Sequence, residues 1–190
     1  MSATKSVLTQ EEIQRLQIAN VSVYVFAMIY GKIQDKFNKL TQKEVVQKWD
    51  VKLTPAGWAF AIWGLIYTMI GVFVVYQALP DSYVPTRNNE LIFGQIGWNF
   101  AVNKISGPIW LMIWGRDGKW AFTGAFIPIV VMLATCLQIL FLADRSQVNT
   151  MEGIFIRGTF SLYSGWVTTA TLLNILYILK SWNTPNYDAR

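Results

Sequence analysis

The sequence predicts an all-α protein, a five-helix transmembrane bundle, and three observations carry that prediction. Hydrophobic residues make up 53% of the 190-residue chain and charged residues only 14%, well under the roughly 25% charge of soluble globular proteins. The apolar residues gather into five stretches, residues 16–33, 58–79, 92–114, 120–143 and 155–179, and a helix needs about 20 mostly apolar residues to cross a bilayer core. The connections are short except for the one between the first two stretches, which favours an up-and-down bundle. The chain therefore reads as a single integral membrane domain over residues 1–190.

The first stretch is the shortest. Ahead of it, residues 1–17 lack a signal-peptide core and carry Glu11 and Glu12, which also argues against a cleaved transit peptide. Thr9-Gln10-Glu11-Glu12 has capping-box spacing and predicts a short amphipathic helix at the membrane interface. The loop that follows is crowded with Lys32, Lys36, Lys39, Lys43, Lys48 and Lys52. Arg116 and Lys119 follow the third stretch, and Lys180 and Arg190 the fifth. Only Lys5, Arg15, Arg87, Arg145 and Arg157 fall on the other side. This asymmetry puts the first loop and the C-terminus on the positive-inside face. The net charge of +5 is thereby assigned to anionic membrane lipids rather than to nucleic acid.

The second stretch opens Leu53-Thr54-Pro55-Ala56-Gly57-Trp58. A proline suits a helix entry, where its missing N–H has no partner to lose, and indoles anchor helices in the headgroup zone. Pro80, Asp81, Ser82, Pro85 and Asn88 mark the turn after it. The third stretch carries Asn99, Asn103, Ser106 and Lys104. A lysine at the centre of a span costs about 2.5–3.5 kcal/mol on insertion scales, and no acidic residue occurs within any of the five stretches. Either Lys104 meets an anionic ligand group or an acid on another subunit, or it snorkels and is neutralised by carbonyls and water. Gly115-Arg116-Asp117-Gly118 makes the third and fourth helices antiparallel neighbours. Small residues recur four apart, as in Gly57/Ala61, Gly97/Ala101, Ala121/Ala125 and Ser161/Gly165/Thr169. Such rows let helix backbones approach closely, within one chain or in a homodimer.

Chemistry is restricted by what the chain lacks. It has no histidine and a single cysteine, Cys136, within the fourth stretch. That removes the commonest general base, metal ligand and haem axial ligand, and any intrachain disulfide. No metal site or catalytic triad can be assembled, and the reading is not an enzyme.

The last stretch reads Trp166-Val167-Thr168-Thr169-Ala170-Thr171-Leu172-Leu173-Asn174. Polar groups in a spanning helix face neighbouring helices or a cavity, where they find partners. With Trp166, Ala170, Thr171, Leu173 and Asn174 at this spacing, the segment resembles the fifth helix of the translocator protein/tryptophan-rich sensory protein family (TspO/MBR). The second stretch is similar in Pro55, Gly57, Trp58, Trp63, Tyr67 and Gly71. It departs where Thr54 replaces the family's first proline and Ala61-Ile62 its Gly-Pro. The third resembles the family in two registers, through Gly94-Gln95 with Asn99 or through Asn103 with Pro108-Ile109; the second register puts Ser106 where the family has a tryptophan. The resemblance runs from residue 53 to residue 180. It implies an aromatic pocket below the first loop, with Trp63, Asn99, Asn103, Lys104, Tyr163, Trp166 and Asn174 as candidate ligand-binding residues and Trp49 as a stand-in for a first-loop tryptophan. No cofactor is required; the implied ligand is a porphyrin, haem or sterol. Leu173, Tyr177 and Lys180 also fit a cholesterol-recognition pattern. The family further implies a homodimer through the third helix and a mitochondrial or bacterial membrane. A second function remains open beside ligand binding: a structural accessory subunit of a larger, respiratory-type mitochondrial complex, suggested by unpaired Lys104 and the departures in the second and third helices.

Overall fold

A computed structural model describes residues 8–184, and every regular element among them is helical. Helix α1 (Gln10–Ile33) is opened by the expected capping box: the Glu12 N–H donates to Thr9 Oγ1 at 3.2 Å, and the Thr9 N–H donates to Glu12 Oε2 at 2.8 Å. The box does not start a separate interfacial helix, however. It starts the first long helix itself, which carries straight on into the apolar stretch. The long first loop is not irregular either. It holds α2 (Gln42–Trp49), opened by a second capping box between Thr41 and Glu44.

Helix α3 (Ile62–Ala78) follows a 3₁₀ segment, Gly57–Ala61. The chain departs from α-helical geometry here without a proline in the segment, Pro55 standing ahead of it. The third apolar stretch departs from a continuous helix. It begins as a π-helical segment, Glu90–Ile96, breaks at Gly97 (φ 45°, ψ −127°), and resumes as α4 (Trp98–Trp114). Only glycine adopts that backbone conformation cheaply. Seventeen α-helical residues extend about 25 Å, short of the bilayer core. Accordingly four helical segments are long and apolar enough to cross a membrane, Gln10–Lys36, Gly57–Ala78, Lys119–Arg145 and Thr150–Trp182. The last two contain α5 (Lys119–Arg145) and, after a single turn α6 (Thr150–Glu152) and a π-helical stretch Gly153–Gly158, α7 (Thr159–Trp182).

The five long helices close a ring whose order is not that of the chain. α1 packs on α3 and α4, α4 on α5, α5 on α7, and α7 returns to α3. The α4–α5 pairing is the most extensive, as the Gly115–Gly118 connection predicts. Ile66, Phe73, Phe100, Phe122, Ile129, Phe160 and Val167 fill the centre. Gly71 admits α1 to α3: a Cβ there would stand 2.6 Å from the Tyr24 hydroxyl, which donates to the Tyr67 carbonyl at 3.0 Å. Gly97 and Ala101 are buried within the chain, and so is Ala125, whereas Gly57, Ala61, Ser161 and Gly165 are exposed.

The two ends of the ring differ. At one, Arg87 caps α3 by donating to the Gln77 and Leu79 carbonyls at 2.9 and 2.6 Å and pairs with Asp81. Buried Glu152 accepts there from the Asn88 N–H at 2.6 Å and the Tyr76 hydroxyl at 3.2 Å. At the other end, α2 and the first loop lie across the mouths of α4, α5 and α7, and beneath them is the candidate site.

Candidate functional site

Spacing builds the site. Residues four apart share a helix face, and this brings Trp110 and Trp114 of α4 and Trp166, Ala170 and Asn174 of α7 to one chamber. Phe60 and Trp63 enter from the start of α3, Tyr177 from the end of α7, and Gln42, Val46, Thr54 and Pro55 cover it. The rings interlock edge to face. Trp166 lies 5.6 Å from Phe60 and 6.1 Å from Trp63, while Trp110 and Trp114 stack at 5.2 Å. Trp114 meets Tyr177 at 5.7 Å. Such edge-to-face and offset contacts are the arrangement aromatic quadrupoles prefer.

Polar groups in the chamber are few. Asn174 accepts from Trp110 Nε1 at 3.2 Å and donates to the Phe122 carbonyl at 2.9 Å, tying α7 to α4 and α5. Trp114 Nε1 and Trp166 Nε1 are buried and find no acceptor among the described residues. The free volume inside is about 40 Å³, little more than one water's share of liquid volume. Two larger spaces adjoin it. A vestibule of about 620 Å³ between α2 and the 3₁₀ segment shares Gln42, Val46, Pro55 and Phe60 with the chamber. A cavity of about 190 Å³ runs inward along α3 and α4, sharing Gln42, Trp63 and Trp110.

Of the residues singled out in the sequence, Trp63, Trp166 and Asn174 line the chamber. Tyr163 lies one ring deeper, 6.0 Å from Trp63, with its hydroxyl donating to Met132 Sδ at 3.0 Å. Lys104 is buried beneath it, Nζ 4.2 Å from the Tyr163 ring centre and near 6 Å from the Tyr67 and Phe100 rings (5.9 and 5.8 Å). It therefore neither snorkels nor faces a neighbouring subunit; it points into its own bundle. Asn103 is buried but serves packing, donating to the Met132 carbonyl and Thr135 Oγ1 at 2.9 Å each and to Cys136 Sγ at 3.1 Å. Asn99 is not part of the site. It sits in the first turn of α4, half-buried beside Leu8, Glu12 and Arg15 at the opposite end. Trp49 is buried against Phe122 at 5.2 Å and stays outside the chamber. The cholesterol-pattern residues diverge, with Tyr177 inside the chamber and Lys180 donating to the Asp50 carbonyl at 2.6 Å.

Sequence reasoning missed Trp110, Trp114 and Phe60. Trp110 stands one turn beyond Ser106, so the tryptophan absent from the family position is replaced from the next turn and held by Asn174. The signal was the Trp110/Trp114 spacing. Also missed was α2, whose Thr41-x-x-Glu44 signature was readable.

A latch holds α2 down. Asp117, in the left-handed region at φ 60°, accepts from Lys48 Nζ at 2.7 Å and from Trp49 Nε1 at 2.6 Å. Val45 and Trp49, one turn apart, are buried beneath the helix. The backbone N–H and hydroxyl of Thr41 hold the Glu44 carboxyl below its ordinary range. This α2 cap is therefore complete above the unfolded carboxylate pKa and is lost only as pH falls through the lowered value.

The long apolar helices make this a multi-pass membrane protein. No curated protein and no solved structure matches the chain. The model of one family, the TSPO-like proteins, matches residues 16–189, nearly the whole sequence, and the chain belongs to that family.

Proposed function

We propose that this TSPO-like protein spans its membrane five times, the Glu90–Ile96 segment lengthening the short α4 to complete the third crossing, and binds a flat apolar ligand, a tetrapyrrole or a molecule of similar character such as a sterol, in the aromatic chamber. Its role is transport or sensing rather than catalysis. The observation that carries this reading is the pair of buried indole N–H groups, on Trp114 and Trp166, left without acceptors in a chamber walled by aromatic rings. Buried donors are normally paired, and a ligand carbonyl or carboxylate supplies the missing acceptor. The volume of about 40 Å³ is far below the roughly 300–1,000 Å³ of ligand pockets. Binding therefore requires α2 to lift and merge the chamber with the vestibule. The positive-inside asymmetry supports an orientation with the chamber mouth and the C-terminus on the matrix or cytoplasmic side, and family habit favours a mitochondrial or bacterial membrane. The test is quenching of tryptophan fluorescence by protoporphyrin IX. Trp166→Phe keeps an aromatic face but removes the N–H together with part of the ring, and is expected to weaken binding at least about fivefold, the loss of one hydrogen bond. An unchanged titration sinks the assignment.

One observation favours the second reading, an accessory subunit of a larger membrane complex. The chamber is almost filled by the chain's own side chains, as a scaffold that no longer binds ligand would be.

A further inference from the structure

We infer that the ligand of this site carries a carboxylate, and that Lys104 recognises it from the inner end of the chamber. The inference rests on the chamber reading and adds the chemical class of the ligand. Lys104 is 2% exposed, so its amine reaches neither headgroups nor bulk water. Its Nζ has no hydrogen-bond partner among the described residues. The Tyr163, Tyr67 and Phe100 rings face it, and such faces soften the burial of a cation without supplying a counter-charge.

The cavity of about 190 Å³ borders this cage, with Lys104 just behind its lining. Tyr67 belongs to both, and Met132, which lines the cavity, accepts from the Tyr163 hydroxyl. Gly107, one turn beyond Lys104 on α4, also lines it. The same cavity joins the chamber through Trp63 and Trp110. A ligand whose apolar body lies on the indoles can thus place its head beside Lys104. The head carries one negative charge, as a carboxylate does, rather than the nearly two of a phosphate monoester, because Lys104 is the only cationic side chain within α4 and the N–H groups around it are spent inside the helix. One cation balances one negative charge. A neutral head would leave Lys104 as it stands, buried and unpaired.

Two sources share this chemistry, a propionate-bearing macrocycle and a fatty acid, and the experiment separates them. The full chain in phosphatidylcholine nanodiscs is titrated with protoporphyrin IX and its dimethyl ester, and with dibrominated stearic acid and its methyl ester. Tryptophan quenching reports all four. In at least one pair the acid is expected to bind about tenfold tighter than its ester, the scale of one charge-assisted hydrogen bond. The pair that discriminates names the source. Lys104→Met, or Lys104→Gln if the first variant does not fold, should erase the preference, bringing acid binding down to that of the ester. Equal binding of acid and ester by the unaltered protein overturns the inference and leaves the chamber reading standing, as does a preference that survives in the Lys104 variants. Failure of all four probes to quench overturns both.

Discussion

Asn174 and Asn103 are the same side chain at similar burial, and their partners set different costs for losing them. Asn174 answers an indole: its Oδ1 is the acceptor of Trp110 Nε1, and its Nδ2 donates to Phe122. Asn103 uses only its Nδ2, and its Oδ1 has no partner among the described residues. Asn174→Leu therefore strands a buried donor, a penalty of about 1–3 kcal/mol. Asn103→Leu gives up donor contacts but also removes an unpaired oxygen, leaving about the 0.6 kcal/mol average of interhelical bonds in membranes. Thermal unfolding in detergent should rank Asn174→Leu as the more damaging change; equal losses would mean that the Trp110 contact contributes nothing. At this scale the sequence was informative where polarity broke an apolar helix face, as with Asn174 and Trp166. It misled at Asn99, because the family register that offers it falls in the first turn of α4, about three turns from Trp110 and at the opposite end of the bundle. Trp110 and Trp114 were legible only as a pair one turn apart, because an indole that anchors a helix in headgroups and one that walls a chamber read alike.

Among the elements, α2 decides whether the chamber is open. Its fixed points include the Asp117 latch to Lys48 and Trp49, the buried pair Val45 and Trp49, and the contact of Lys180 with the Asp50 carbonyl. The Asp117 side chain is 1% exposed while that of Lys48 is 42% exposed, so the latch is half in water and its charge is partly screened. Asp117→Asn tests it cleanly, since asparagine tolerates the left-handed backbone that this position adopts. Losing about 1.4 kcal/mol of latch energy raises the open population tenfold. Stopped-flow mixing with protoporphyrin IX should then show association about tenfold faster. An unchanged rate would mean that α2 is not the gate. The elements were legible wherever an apolar run was continuous, as in α3 and α5. The break at Gly97 was not, because a glycine in an apolar stretch carries no mark of the backbone angle it adopts; α2 was legible only in its Thr41-x-x-Glu44 cap, its two turns being too short to stand out in a lysine-rich loop.

Taken whole, the ring keeps its costly groups to itself. Lys104, Asn20, Gln77, Asn103 and Asn174 are all buried, and the outer surface of the long helices presents Ile18, Phe26, Leu65, Val75, Ile127, Leu137, Phe141 and Leu172. That surface suits acyl chains, which need no polar partner. Gly97 and Ala101, the pair offered for a homodimer, are buried against the chain's own helices, so close backbone approach there is already used. These features together favour a protein that stands alone in lipid, or at most a small oligomer, and the chamber reading requires the same. The native mass of the endogenous protein extracted in mild detergent decides it. The expected result is a species of one or two copies, each of 21.7 kDa, plus bound detergent and lipid. Comigration with an assembly of many subunits would make the nearly filled chamber a relic of binding and the ring a scaffold. Lys104→Met would then be expected to lower the abundance of that assembly, because an inward lysine that no ligand reaches acts only on how the bundle packs.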